Sequence, residues 1–141
     1  MANKKAYVDN LRNVPLFNGC TNKELDRIAR SGDEVKMTAG TLLADQGQTG
    51  REAFVVLEGA VSVRRNGRKV ATLGPGAIVG ELSLLDHGPR TATVTCDTDA
   101  TIFVISQRHF LAVIDDVPTI GHKLLASLAG RIRELDRAYY G

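Results

Sequence analysis

The chain has 141 residues, which suits one domain and leaves little room for a second. Its composition, 43% hydrophobic and 24% charged, is that of a folded protein with a core, and a net charge of +2 does not by itself indicate nucleic-acid binding. No apolar run approaches the roughly 20 residues that cross a bilayer. The first residues carry two lysines with no apolar stretch after them, so a secretory signal is excluded and we expect a cytoplasmic protein.

The N-terminal part predicts two short helices. The first covers residues 6–12 and is followed by a loop at 14–19. Thr21 is a candidate N-cap, because Glu24 follows three residues later and the two can form a capping box. The second helix is expected to end near Gly32, where glycine would supply the C-terminal cap.

Short segments rich in Val, Leu, Ile and Thr follow, separated by Gly, Asp and Asn. We predict eight strands, at residues 34–38, 41–44, 53–57, 60–65, 68–73, 78–79, 92–96 and 100–105. The clearest hairpin turns at Asn66-Gly67, since both residues can adopt the positive φ of a type I′ turn. Strands of this length and spacing favour a sandwich or barrel over a parallel sheet.

This hairpin also carries a run of cations. The run consists of Arg64, Arg65, Arg68 and Lys69. Because hairpin tips are exposed, we interpret these four side chains as solvated.

The C-terminal part predicts two further helices. Ser106 can cap a helix that reaches about Asp115, and Pro118 suits the first turn of a longer helix. The longer helix reaches about Tyr139 and carries an apolar stripe at 3-4-3-4 spacing. The stripe consists of Leu125, Leu128, Ile132, Leu135 and Tyr139. It covers only about two heptads, so pairing with a second copy and packing back on the chain's own strands both stay open.

Neither the cysteines nor the histidines predict a metal site or an enzyme. Cys20 and Cys96 match no metal-binding spacing, and we expect two reduced thiols. His87, His109 and His122 contain no H-x-H pair, which argues against a metal-dependent cupin, and we expect surface residues. No Ser-His-Asp or Cys-His arrangement is evident either.

One segment, residues 80–94, carries the chemistry. Its glycines allow close backbone approach, and residues 81–85 can form one helical turn whose free amides attract an anion. The planar guanidinium of Arg90 suits a phosphate, and Thr91 adds a hydroxyl donor. Glu81 would repel a phosphate, so it should accept hydrogen bonds from a sugar. An anion and a diol outline a nucleotide; the alternative is a surface ion pair between Glu81 and Arg90.

The run G-E-L-S-L-L at residues 80–85, followed after a spacer by P-R-T-A at 89–92, resembles the phosphate-binding cassette of the cyclic nucleotide-binding domain family. That family includes regulators of the catabolite activator type, regulatory subunits of cyclic-nucleotide kinases, and cyclic-nucleotide-gated channels. The resemblance covers nearly the whole chain and implies one domain, residues 1–141. It implies N-terminal helices at 1–33, an eight-stranded jelly-roll barrel at 34–106, and hinge and lid helices at 107–141.

The resemblance also implies a role for each site residue. The phosphate would be bound by Leu82, Ser83, Arg90, Thr91 and Ala92. The ribose would be bound by Glu81, with the Gly80 backbone close by. The base would lie against Val63, Val70, Leu73, Leu135 and Tyr139. On this basis Arg90→Ala is expected to abolish binding and to leave the stability of the ligand-free protein nearly unchanged.

The ligand implied is cyclic AMP, favoured over cyclic GMP, and no other cofactor is expected. The lid positions that carry adenine-binding hydroxyls in the catabolite activator type fall here on Leu135 and Asp136, whereas Thr91 resembles domains that accept cyclic GMP. Ligand binding would close the lid helix. Arg131 on that helix either reaches Glu81 or the ligand, or is solvated.

Two other interpretations stay open. A regulator of the catabolite activator type carries a helix-turn-helix after the lid, whereas this sequence ends at Gly141, so we do not expect direct DNA binding, although the chain can be the sensor of a longer regulator or channel. Alternatively, the chain is a degenerate member that serves as a dimerisation or protein-interaction module. The partners expected are a cyclic nucleotide and either a second copy through the C-terminal helix or an effector protein.

Overall fold

The computed structural model describes the backbone of residues 4–140 and the side chains of residues 8–81 and 83–139. In this part of the chain, eight strands form two four-stranded antiparallel sheets, flanked by helices. The strands are β1 (Asp33–Met37), β2 (Leu42–Ala44), β3 (Glu52–Glu58), β4 (Val61–Arg65), β5 (Arg68–Leu73), β6 (Ile78–Val79), β7 (Thr93–Cys96) and β8 (Ala100–Ser106). The helices are α1 (Lys4–Arg12), α2 (Asn22–Ala29), α3 (Glu81–Asp86), α4 (Gln107–Asp116) and α5 (Pro118–Tyr140), with a 3₁₀ turn at Pro15–Phe17.

The two sheets have the strand orders β1-β8-β3-β6 and β2-β7-β4-β5. Sequence-distant strands pair in both, as β1 does with β8 and β2 with β7, which is the connectivity of a jelly roll. The predicted mainly β fold with flanking helices is therefore confirmed. Every predicted strand ends within one residue of its observed bounds. The eight strands form two facing sheets rather than a closed barrel.

The first sheet is covered on both faces, and β3 illustrates the consequence. Its residues 53–57 are all buried. Val55 packs with the helices in one hydrophobic cluster, whereas Phe54 and Val56 pack between the sheets in another. Because successive side chains point to opposite faces, a strand buried on both faces is hydrophobic without alternation. The space between the sheets is thus separate from the core under the helices.

The β4–β5 hairpin has the predicted turn. Asn66 and Gly67 have φ values of 52° and 78°, both in the left-handed region that a type I′ turn requires. Gln46 holds the turn from outside: its Nε2 donates to Asn66 Oδ1 at 3.0 Å, and Asn66 N donates to its Oε1 at 2.8 Å. The tip of the hairpin is therefore fixed by two reciprocal hydrogen bonds.

The capping box at the start of α2 is confirmed, whereas the predicted glycine cap at the end of this helix is wrong. Thr21 Oγ1 accepts from Glu24 N at 3.1 Å, and Glu24 Oε1 accepts from Thr21 N at 2.8 Å. The helix ends at Ala29, and Gly32 does not provide its cap. A Cβ at Gly32 would lie 2.5 Å from the Val104 carbonyl oxygen, so glycine is required there by close contact with β8. The predicted loop at 14–19 contains the 3₁₀ turn.

The C-terminal helices begin where the sequence predicted. Ser106 Oγ accepts from His109 N at 3.3 Å and caps α4, and α5 begins at Pro118. Four residues of the apolar stripe, Leu125, Ile132, Leu135 and Tyr139, are at least 60% exposed. These four side chains do not pack back on the strands, and pairing of the helix with a second copy stays a prediction. None of the helices described is long and apolar enough to cross a membrane.

Gly32→Ala is expected to lower the free energy of unfolding by about 1–3 kcal/mol, because the added methyl group overlaps β8 backbone. Gly130→Ala is the matched control, since nothing lies within 4 Å of a Cβ there and alanine raises helix stability by about 0.5–1 kcal/mol. Urea unfolding followed by circular dichroism measures both. Equal midpoints for Gly32→Ala and the wild type would contradict the proposed close contact.

Candidate functional site

A cavity of about 390 Å³ opens beside α3, between that helix, the inner faces of β4 and β5, and the segment that leads into β7. Six of the seven residues predicted to bind the phosphate or the ribose line it: Gly80, Glu81, Ser83, Arg90, Thr91 and Ala92. The seventh phosphate or ribose candidate, Leu82, contributes its backbone to α3, and its side chain lies outside the described residues. Glu81, Ser83 and Arg90 are buried. The predicted cation, Arg90, and the predicted carboxylate, Glu81, therefore line the same cavity.

Backbone carbonyls hold the guanidinium of Arg90 in place. Its Nη1 donates to the Gly80 carbonyl at 3.0 Å, and its Nη2 donates to the Glu52 carbonyl at 2.7 Å. The group also lies 5.6 Å from the centre of the Phe54 ring, within the range of a cation–π interaction. A guanidinium has five N–H donors, so donors remain for an anion in the cavity.

Burial lowers the pKa of Arg90, and the negative charges of Glu52 and Glu81 oppose that shift. Arginine nevertheless stays protonated in proteins, because its reference pKa is so high. The cavity therefore contains a permanent positive charge in a partly dehydrated setting, where its attraction for an anion is stronger than in water.

Two glycines make room for this guanidinium. A Cβ at Gly50 would lie 2.5 Å from Arg90 Nε, and a Cβ at Gly80 would overlap Arg90 Nη1. Gly80 also has φ 84° and caps the start of α3 in the left-handed conformation. Glycine is thus required at position 80 both by its φ and by its contact with Arg90.

Helix α3 connects the cavity to the core under the helices. Its residues Glu81 and Ser83 line the cavity, whereas Leu84, completely buried, belongs to the helix-side hydrophobic cluster. Gln107 Nε2 at the start of α4 donates to the Leu84 carbonyl at 3.1 Å and lies 2.7 Å from His87 Nδ1. The contacts of Leu84 and Gln107 therefore join α3 to α4.

Glu81 has a partner on α5. Arg131 Nη1 lies 3.5 Å from Glu81 Oε1, and Arg131 is among the residues that line the cavity. The carboxylate side chain is 8% exposed and the arginine side chain 51% exposed. Of the two alternatives left open by the sequence, the contact with Glu81 is the one observed, and it ties the long helix to the candidate site.

The apolar wall of the cavity agrees only in part with the predicted base pocket. Val63, Val70 and Leu73 line the cavity on β4 and β5. Leu135 and Tyr139 do not line it, and they are 60% and 80% exposed. The reason is the course of α5, which is unbroken from Pro118 to Tyr140 and meets the cavity at Arg131.

At 1.5 Å per residue, Leu135 lies about 6 Å and Tyr139 about 12 Å farther along the helix axis than Arg131. The predicted contribution of these two side chains to the base pocket is therefore absent from this arrangement of α5.

Sequence reasoning missed several residues of the site, among them Gly50, Ile78 and Arg65. Gly50 leaves no signal, because its role is contact with a side chain 40 residues away in the sequence. Ile78 lines the cavity from β6. Arg65 also lines it, although it was interpreted as solvated. Its spacing from Val63 was a usable signal, since residues i and i+2 of a strand face the same side.

The cysteines and histidines lie outside this cavity. Cys20 and Cys96 are free thiols, one before α2 and one at the end of β7. His87, His109 and His122 are exposed. Among the residues that the structure describes, no group of three or more His, Cys, Asp or Glu side chains can hold a metal ion.

Comparison with known proteins identifies a family. A sequence model of the cyclic nucleotide-binding domain matches residues 34–117, which is more than half of the chain. The chain is also 33% identical over 131 residues to the cyclic AMP receptor protein of Thermus thermophilus, covering 89% of this chain and 61% of that protein. The chain thus spans less than two thirds of that relative's length.

Solved structures agree with the fold. The crystal structure of the Thermus thermophilus catabolite activator protein superposes with a TM-score of 0.81 at 34% identity, covering 88% of this chain and 61% of that one. The N-terminal domain of a transcriptional regulator from Streptomyces coelicolor A3(2) gives a TM-score of 0.72 at 33% identity, covering 94% and 95%.

Arg90→Ala is expected to lower the free energy of unfolding of the ligand-free protein by about 1–3 kcal/mol, because it removes two part-buried hydrogen bonds from a charged donor to the carbonyls of Gly80 and Glu52. This revises the expectation, drawn from the sequence, of unchanged stability. Thr91→Ala is the control, since Thr91 is exposed and its loss should change stability by less than about 0.5 kcal/mol. Chemical denaturation measures both, and an unchanged Arg90→Ala midpoint would show that the carbonyls find other partners.

Proposed function

The chain belongs to the cyclic nucleotide-binding domain family, and we propose that it is a receptor for a cyclic nucleotide, binding cyclic AMP in preference to cyclic GMP. The observation that carries this proposal is that Arg90 and Glu81 both line one cavity, beside the first turn of α3. A cation with free donors suits the phosphodiester, and a carboxylate suits the sugar hydroxyl. The preference for cyclic AMP is supported by the relative that bears its name.

The ligand would lie along the cavity with its phosphate at α3 and its base at the apolar wall. Arg90, the hydroxyl of Thr91 and the backbone amides of Leu82, Ser83 and Ala92 would surround the phosphate. Glu81 would accept from the ribose 2′-hydroxyl, next to the Gly80 backbone. Val63, Val70 and Leu73 would contact the base. A cavity of about 390 Å³ is of the size that holds a small organic ligand.

We propose binding and not catalysis. In the described lining the one carboxylate, Glu81, is paired with Arg131, and no histidine, cysteine or lysine lines the cavity to activate the hydroxyl of Ser83 or Thr91. A single buried carboxylate paired with Arg131 is suited to accept hydrogen bonds. The site therefore has the groups of a receptor, and a regulatory role follows.

The regulatory step we propose is a movement of α5. A ribose hydroxyl would share Glu81 with Arg131, and α3 is joined to α4 through Gln107. Ligand can bias the position of α5 only if it binds one arrangement more tightly than another. Closure over the base, through Leu135 or Tyr139, would require α5 to move from its present course. The rest of the stripe, Leu125, Leu128 and Ile132, would then contact a second copy or an effector protein.

Isothermal titration calorimetry with cyclic AMP and cyclic GMP tests the function. We expect heat from both ligands with tighter binding of cyclic AMP, because the relatives named for cyclic AMP share this fold. Tighter binding of cyclic GMP would reverse the preference and assign it to Thr91. No heat at high micromolar concentration of either ligand would contradict the proposal and favour an interaction module without a ligand.

Two glycine variants serve as the matched pair in this titration. Gly50→Ala is expected to weaken binding at least tenfold, because its methyl group displaces the guanidinium of Arg90. It is also expected to lower the free energy of unfolding, by no more than the change of about 1–3 kcal/mol expected for Arg90→Ala, because the displaced group loses its carbonyl partners. Gly74→Ala adds the same methyl group where nothing lies within 4 Å, and it should bind like the wild type. Equal affinities for the two variants would remove Arg90 from the ligand site.

Hydrogen exchange tests the movement of α5. With saturating cyclic AMP, amides in residues 118–140 are expected to exchange at a different rate than without it, because Arg131 shares Glu81 with the ligand. Amides of β8 provide the internal reference, since this strand pairs on both sides with β1 and β3. Identical exchange of α5 in both states would refute the lid model and leave the binding proposal standing.

A further inference from the structure

A second arginine of the cavity, Arg65, lies outside the cassette of residues 80–94. It is the last residue of β4 and is exposed, yet it lines the cavity together with Val63. Side chains alternate along a strand, so these two residues share the face turned toward the cavity. Arg64, between them, does not line it. One cation of the hairpin is thus directed differently from its neighbour in the chain.

The register between β4 and β7 places Arg65 at the phosphate end of the cavity. Arg64 is opposite Thr93, the first residue of β7. One step farther along this antiparallel pair, Arg65 comes beside Ala92, and residues opposite each other in such a pair have Cβ atoms about 4.5–5.5 Å apart. Ala92 and its neighbour Thr91 also line the cavity, and both are predicted phosphate contacts. The long side chain of Arg65 therefore starts next to the proposed phosphate site.

The charges that line the cavity leave Arg65 without a partner among the described residues. The lining has three cations, Arg65, Arg90 and Arg131, and one carboxylate, Glu81. The carboxylate pairs with Arg131, and no ion pair in the described part of the chain involves Arg65. Across the hairpin Arg65 is opposite Arg68, and like charges in this arrangement destabilise a strand pair. An anion in the cavity would compensate this charge, whereas the hairpin does not.

Arg65 and Arg90 differ in their exposure to water. Arg90 is buried, and its guanidinium lies against β3 of the first sheet, at the Phe54 ring and the Glu52 carbonyl. Arg65 is exposed and belongs to β4 of the second sheet. Dissolved salt screens an exposed charge much more than a buried one. A contribution of Arg65 to anion binding can therefore be separated from that of Arg90 by its dependence on salt.

The backbone beside Arg65 is fixed. Asn66 follows it directly, has φ 52°, and makes the reciprocal hydrogen bonds with Gln46 described above. A side chain that starts from a fixed turn loses less conformational freedom when it orders on a ligand than one on a mobile loop. The geometry is therefore suited to a specific contact.

We propose that Arg65 is a further ligand-binding residue, a second cation for the phosphate at the open side of the cavity. This inference rests on the proposed function and adds to it a residue from the second sheet. Arg90 binds the phosphate from the buried side, and Arg65 adds an ion pair in contact with solvent. Because the phosphate is common to both ligands, the contact strengthens binding of cyclic AMP and cyclic GMP alike.

Calorimetry with cyclic AMP on Arg65→Ala and Arg64→Ala tests the proposal. Each variant loses one positive charge and relieves one cross-strand repulsion, so the two differ in the face that the side chain occupies. At an ionic strength of about 0.1 M, Arg65→Ala is expected to weaken binding about threefold to fivefold, the upper range of an exposed ion pair. Arg64→Ala is expected to bind like the wild type.

Salt and a conservative variant identify the contact as one of charge. At an ionic strength of about 1 M the screening length falls to about 3 Å, so the difference between Arg65→Ala and the wild type should shrink to less than about twofold. Arg65→Lys keeps the charge and removes the plane, and we expect its affinity at the lower salt to lie within about twofold of the wild type.

Equal affinities of Arg65→Ala and Arg64→Ala would overturn the inference, as would Arg65→Lys binding as weakly as Arg65→Ala. A loss that is equally large at both salt concentrations would also contradict it, because the contact would then not be an exposed ion pair. Each of these results is obtained with a wild-type chain that binds. Absence of heat from the wild type would refute the proposed function itself, and this inference with it, so the two failures are distinguishable.

Discussion

The site depends on one buried guanidinium. A charge removed from water is costly unless hydrogen bonds and opposite charges compensate it. For Arg90 the compensation comes from the carbonyls of Gly80 and Glu52, the face of Phe54 and the carboxylates nearby. These partners satisfy only part of the group, and the donors that remain are directed by a rigid frame. This frame is rigid because the first sheet, which contains Glu52 and Phe54, is packed on both faces.

The division of the interior into two hydrophobic clusters explains how a cavity between sheets can influence helices on the far side. The first sheet separates them, and α3 reaches both, with Ser83 at the cavity and Leu84 in the helix-side cluster. A shift of this short helix, as proposed on ligand binding, would therefore also move Leu84 in the core on which α4 rests. The glycine at position 80 permits the sharp entry into α3, and a longer or better-capped helix would be less easily displaced.

The parts of the molecule that the sequence predicted are those set by local chemistry. Asn66-Gly67 dictates its own turn, Thr21 and Glu24 form their own cap, and the cassette residues lie close together in the chain. The parts that it did not predict are set by contacts between distant segments. Position 32 requires glycine because of its contact with β8, and position 50 because of its contact with Arg90. The exposure of Leu135 follows from where α5 meets the cavity. Periodicity reveals an apolar stripe but not its partner.

The ion pair between Glu81 and Arg131 has a consequence for binding affinities. Because Glu81 lines the cavity and also contacts α5, a ligand that takes up this carboxylate, as proposed, would link occupancy of the cavity to the position of this helix. Whatever molecule captures α5 must then change the affinity for the nucleotide by the same factor by which the nucleotide changes the capture. An effector of this protein would be detectable from the ligand side alone, as a change in dissociation constant when the effector is added.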